Sequence, residues 1–154
     1  MVRERPRVRI SPAAPFSFTD LPKFYTCEGM TLNISALHHV QITVSPEHEA
    51  AAVDFYGRVL GLARIEKPKP LASRGGAWFD VGGAQLHISL EEGAEGHGSK
   101  RHVCLLVDDL TRARQSLLDA GLDVEPEETE PYGLRRFFVR DPAGNKLEIG
   151  QLPD

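Results

Sequence analysis

The sequence predicts an α+β fold: two βαβββ modules forming a cup-shaped mixed β-sheet with the helices on the outside. Three observations carry this reading. Each half opens with a short strand and continues at once into a segment with apolar residues at three- and four-residue spacings, the signature of a helix packed on one face. Each of those helices stops at a glycine, Gly61 or Gly121, and is followed by three strand candidates. The spacing also repeats, since 48 residues separate His39 from His87 and 46 separate His102 from Glu148. A repeat at this scale fixes which positions are equivalent: 39 with 102, and 87 with 148.

In the first module a strand begins near Leu37, where Val40, Ile42 and Val44 alternate with His39, Gln41 and Thr43. Ser45 suits a helix N-cap, and Pro46 suits the first turn, where its missing N–H is not needed. Ala52, Phe55, Tyr56, Val59 and Leu60 then mark the buried side of one amphipathic helix that ends at Gly61. Strand candidates follow at 62–65, 77–81 and 85–90, with Gly82-Gly83 as a hairpin turn between the last two. Residues 91–100, rich in Gly, Glu and Ser, read as a linker. The second module repeats the order. A strand at 102–107 leads to a helix capped by Asp108 or Asp109, running through Leu110, Ala113, Leu117 and Leu118 to Gly121. Strand candidates at 122–124, 136–140 and 146–149 complete it, with Asp141-Pro142-Ala143-Gly144-Asn145 as the last turn.

A chain of 154 residues supports one core rather than two independent ones. The domain is expected over 33–154, with module one at about 36–91 and module two at about 101–151, after an irregular N-terminal extension over 1–32. Arg3, Arg5, Arg7 and Arg9 alternate in that extension, while Pro6, Pro12, Pro15 and Pro22 prevent a continuous helix, so it reads as an arm or as an upstream addition with Met30 opening the domain. Apolar residues at 41% and charged residues at 26% are those of a globular domain, and a net charge of −4 argues against nucleic acid or an anionic membrane as partner. No apolar stretch reaches membrane-spanning length, and Cys27 and Cys104 lie in contexts too different to suggest a disulfide framework. A cytoplasmic location is expected.

Alternate residues of a strand share a face, so apolar neighbours reveal where each polar residue points. Val40, Ile42 and Val44 place His39 on the face away from the helix. By the same test Leu86, Ile88 and Leu90 place His87 there, Val103, Leu105 and Val107 place His102 there, and Leu147 and Ile149 place Glu148 there. Taken singly, any of these histidines is more often a surface or satisfied core residue than a ligand. Four ligand-type residues at equivalent places in two copies of one unit point instead to a shared ion. Three imidazoles and a carboxylate suit one divalent ion of zinc, nickel, cobalt, manganese or iron, with room left for water or a substrate oxygen. His38 falls on the helix side of its strand, His48 in a first helical turn and His97 in the linker, so none joins the set. Trp78, Tyr132, Arg135, Arg136 and Phe138 lie where they could line the cup, and the arginines suit a carboxylate or phosphate. An exposed charged face or a core aromatic accounts for them as readily, and no substrate-binding residue is assigned.

The segments Leu37-His38-His39-Val40 and Phe55-Tyr56-Gly57-Arg58-Val59-Leu60-Gly61-Leu62 resemble the opening of the vicinal oxygen chelate superfamily, which includes glyoxalase I, bleomycin resistance proteins and extradiol dioxygenases. Asp141-Pro142-Ala143-Gly144-Asn145-Lys146-Leu147-Glu148 resembles its closing turn and strand, and the resemblance covers about 36–151. It implies paired βαβββ units around a metal, with ligands from the first and last strand of each, the four positions already found. It also implies a small-molecule substrate and a homodimer, with modules paired within a chain or exchanged between chains. A glyoxalase-like lyase or isomerase is the leading expectation, with Glu148 as ligand and as catalytic base. The alternatives are a metal-dependent extradiol-type dioxygenase and a drug-sequestering protein of the bleomycin-resistance type. Position 87 is His where glyoxalase I has Glu and the epimerases tend to Gln, so neither activity carries over directly.

Overall fold

Alternation of polar and apolar residues produces β1 (His39–Val44), whose inward residues culminate in the fully buried Val44. The computed structural model describes residues 33–94 and 96–153; the extension expected over 1–32, with Cys27 and Met30, lies outside the described residues. Ser45 stands at the N-cap position, but its hydroxyl bonds His48 Nδ1 at 2.8 Å instead of the helix backbone. The single α-helix expected here is a composite. A 3-10 turn (Pro46–His48) leads into α1 (Glu49–Asp54) and then a π turn (Phe55–Val59). In the π turn the Leu60 N–H reaches back five residues to Phe55 O at 2.9 Å, and the neighbouring Phe55 and Tyr56 are both buried. Gly61, at φ 71°, ends it where a side chain would be strained.

Three strands follow: β2 (Arg64–Ile65), β3 (Trp78–Val81) and β4 (Ala84–Leu90). Gly82 and Gly83, at φ 56° and 98°, supply the two positive dihedrals of a type I′ hairpin turn. The sheet order is β1-β4-β3-β2, with β1 parallel to β4 and the other pairs antiparallel. A parallel pair cannot be joined by a tight turn, and the helical crossover supplies the connection.

The second module repeats this plan as β5 (His102–Leu106), α2 (Leu110–Asp119), β6 (Glu128–Thr129), β7 (Arg135–Arg140) and β8 (Lys146–Gln151), in the order β5-β8-β7-β6. Of the two capping candidates it is Asp109 that accepts from Arg112 N, at 2.9 Å. One strand lies elsewhere than expected. Residues 122–124 make only a single bridge, Val124 to Val139, while the edge strand is Glu128–Thr129. Leu122 and Val124 are apolar because they pack on the core, whereas the exposed edge strand has no apolar alternation to betray it. Among the described residues the two halves form two four-stranded mixed sheets.

One apolar core spans both modules, with Tyr56, Phe79, Leu86 and Ile88 from the first and Leu110, Phe137, Leu147 and Ile149 from the second. Each large side chain so buried contributes about 1.5–3 kcal/mol. The modules meet on the helix side of their sheets. Tyr56 OH donates to Asp141 Oδ2 at 3.1 Å, and Asn145 Nδ2 donates to Thr43 O at 3.1 Å. Asp141 is buried, and its other oxygen accepts from the N–H groups of Ala143 and Asn145 at 2.9 and 2.8 Å, so one carboxylate shapes the last turn and ties it to the first module. Among the described residues no helix is long and apolar enough to cross a membrane.

Candidate metal centre

The four expected ligands sit on the face of the sheets turned away from this core, as two pairs. In the first module the rings of His39 and His87 stack nearly parallel, with centroids 4.4 Å apart. His87 is buried and covered on its other side by Trp78, its cross-strand partner, at 3.8 Å and 2°. Its Nε2 meets Gln85 Oε1 at 2.8 Å, and since an amide oxygen accepts, Nε2 carries the proton and Nδ1 keeps the lone pair. Burial, and then the charges of His39 and His38, push the His87 pKa down, which favours the neutral imidazole a metal needs. His39 is exposed and its Nδ1 lies 2.9 Å from His38 Nδ1. His38 is itself exposed, ahead of the strand, and not beneath the helix as its place in the alternation suggests.

In the second module His102 Nδ1 donates to Lys100 O at 2.9 Å, leaving the lone pair on Nε2. That nitrogen points at Glu148 Oε2, 2.8 Å away. Two lone pairs at this distance repel unless a proton or a cation lies with them. Neighbouring ligands of an ion with bonds of about 2.1 Å also stand about 3 Å apart, so the pair has the spacing of two donors on one metal. Glu148 is 4% exposed, and a buried carboxylate requires such partners. Arg136 Nη1 is the second, 3.5 Å from Glu148 Oε1. Cys104 pairs with Glu148 across the ladder; burial and then the Glu148 charge raise its thiol pKa to about 11.

The structure thus brings His39 to His87 and His102 to Glu148. Among the described residues it gathers no three His, Cys, Asp or Glu side chains into one cluster. The His102–Glu148 pair has the chemistry and spacing of two donors to a divalent ion, whereas the His39 and His87 rings lie stacked face to face. His48 pairs with Ser45, and the exposed His97 ring lies against Gly144, so both stand apart from it. Sequence reasoning missed the supporting shell. Gln85 and Trp78 bracket His87, and their positions two residues before it and directly across the hairpin were the available signal.

Paired βαβββ modules, each a four-stranded mixed sheet with its helix on one face, define a repeated-module class of α+β domain. Residues 36–149 match the model of the Glyoxalase/Bleomycin resistance protein/Dioxygenase superfamily, and the chain belongs to that superfamily. It is 31% identical to a protein from Bacillus anthracis assigned to the glyoxalase family, whose crystal structure superposes with a TM-score of 0.73 over 80% of this chain and 100% of that one. It is 25% identical over 130 residues to Glyoxylase I 4 of Arabidopsis thaliana, covering 79% of this chain and 73% of the relative. Lactoylglutathione lyase from Agrobacterium tumefaciens shares the fold, with 23% identity, a TM-score of 0.60 and coverage of 78% and 96%.

Proposed function

We propose that the chain is a metal-dependent enzyme of the glyoxalase-like type, a lyase or isomerase acting on a small molecule with a carbonyl flanked by an acidic carbon. One divalent ion is held by His39 and His87 of one protomer together with His102 and Glu148 of a second copy. The observation that carries this is the buried Glu148 carboxylate, whose Oε2 lies 2.8 Å from His102 Nε2. Sharing between copies is supported by the separation of the two pairs. It is also supported by the use of the opposite faces for contact between the modules within a chain, through Tyr56, Asp141 and Asn145. Among the described residues, strands β1 and β5 are both sheet edges.

An ion held by these residues would supply Lewis-acid polarisation of the substrate carbonyl. Glu148 removes the proton from the neighbouring carbon and returns it one carbon away, an exchange that a single base on one face performs. Its burial keeps water from the carboxylate. Similarity to Glyoxylase I 4 and to the Agrobacterium tumefaciens lyase supports the reaction class.

The test is elemental analysis of protein purified without chelators, wild type beside Glu148→Gln, followed by a screen of 2-oxoaldehyde hemithioacetals, acyl-coenzyme A epimers and catechols. One ion per His39–His87 and His102–Glu148 set is expected, with hemithioacetal turnover lost in Glu148→Gln and metal at least partly retained. Oxygen uptake with Fe(II) and a catechol would favour the oxygenase. A metal-free protein that binds an aromatic drug tightly would favour the sequestering reading.

A further inference from the structure

The two half-sites are not equivalent in what lies behind them. Across the ladder, Trp78 stands to His87 as Phe138 stands to Glu148. Two residues earlier in the chain come Gly76, just before β3, and Arg136. At Gly76 no side chain is possible, since φ is 83° and a Cβ would lie 2.0 Å from Ile88 O. At the matching place Arg136 lies opposite Gly150, and its guanidinium reaches to 3.5 Å from Glu148 Oε1. The half with a neutral second ligand therefore has bare backbone there, and the half with a charged one has a cation.

That cation is held from behind. Arg136 Nη2 pairs with Glu130 and lies 3.4 Å from Glu128, and the guanidinium carbon sits 4.9 Å from the Phe138 ring centroid. The Arg136 side chain is 20% exposed, so it cannot swing freely into water. With three carboxylates around one guanidinium, a further anion would be repelled, and this argues against a substrate-anchoring role.

We propose that Arg136 is the positioning residue of the second half-site. It holds Oε1 of Glu148, so that Oε2 alone is presented beside His102 Nε2 and the carboxylate enters the metal shell through one oxygen. This rests on the metal reading of Glu148 and goes beyond it, because it assigns the two carboxylate oxygens different tasks.

The experiment compares the full-length wild type, Arg136→Met, Arg136→Lys and the control Arg135→Met. Arg135 pairs with Glu127 and lies next to Arg136 on the opposite face of β7, so its loss removes the same charge without touching Glu148. The readouts are Co(II) affinity by calorimetry, the Co(II) visible spectrum, and the ring 15N shifts of His102 in metal-free protein. Outer-shell partners typically change metal affinity by about 10–100-fold. Arg136→Met should lose Co(II) affinity in that range, with an altered spectrum and a moved His102 signal. Arg136→Lys should recover part of the loss, and Arg135→Met should match wild type. Wild-type affinity, spectrum and His102 shifts in Arg136→Met would overturn the proposal. If wild type takes up no Co(II), the metal reading falls, while the His102 shifts still decide whether Arg136 holds Glu148 in place. If Arg136→Met does not fold, Arg136→Lys carries the same comparison.

Discussion

A shared site makes a prediction that no arrangement within one chain can imitate. Let one variant carry His39→Ala and His87→Ala, and a second carry His102→Ala and Glu148→Gln. In either homodimer every site joins one intact pair to one broken pair. In the mixed dimer, two-fold symmetry makes one site wholly broken and the other wholly intact, assembled from the first module of one chain and the second module of its partner. Random association at equal concentration makes about half the dimers mixed, so about a quarter of the wild-type sites should reappear. The assay is to denature and refold the variants together, then measure Co(II) bound per chain and turnover. Each variant alone should give a background value, and the mixture about a quarter of wild type for both readouts. The variants leave Tyr56, Asp141 and Asn145 untouched, so the contacts between modules within a chain persist. A mixture no better than its components, with mixed dimers demonstrated by mass, would refute sharing.

Other perturbations test the scaffold. Tyr56→Phe removes a buried hydrogen bond to a charged acceptor and should cost about 1.5–3 kcal/mol in urea unfolding, whereas Asp141→Ala also strands the Ala143 and Asn145 N–H groups and should cost more than about 4 kcal/mol. Burial, then the Asp141 charge and hydrogen bond, raise the Tyr56 phenol well above its ordinary 10.0. The unfolded chain loses that proton first, so stability is full below pH 10.0, falls as pH rises above it, and falls less steeply in Tyr56→Phe. His87 has the opposite sign. Its pKa is lowered from 6.5, so the unfolded chain binds the proton first, and metal-free protein should lose stability as pH falls below 6.5, an effect that His87→Gln removes from urea midpoints. Gly82→Ala, at φ 56° with open space around it, should cost about 1–2 kcal/mol, while Gly76→Ala should fail to give folded protein because its Cβ has no room.

The reason so much of this was legible lies in the period of a strand. With one face of each sheet packed on the core, Ile42, Leu86, Val103 and Leu147 had to be apolar, and their polar neighbours could only point the other way. The glycines were equally informative, since Gly61, Gly82, Gly83 and Gly121 all adopt the positive φ that their turns require. What periodicity could not show was anything decided by a single exposed edge or by side-chain reach. The edge strand Glu128–Thr129 is exposed on both faces and carries no pattern. The 3-10 and π turns flanking α1 keep the same apolar spacing as the regular helix expected there. Arg136 was visible as a member of the face shared with Phe138 and Arg140, but an alternating charge does not say which carboxylate it meets.

The grouping of the ligands marks the deepest limit of a single-chain reading. Equivalence within a repeat establishes that 39 and 102, or 87 and 148, occupy the same place in two copies of one unit; it does not establish that those two copies face each other. In this chain they turn their apolar sides together, through a tyrosine in one helix and an aspartate in the opposite turn. A fold whose intramolecular contact lies on the helix sides leaves both polar faces outward, one with the His39–His87 pair and the other with the His102–Glu148 pair. In the second module Arg136 lies beside the Glu148 carboxylate, and the matching place in the first is Gly76. The two modules thus keep one strand order while differing at this pair of matching positions.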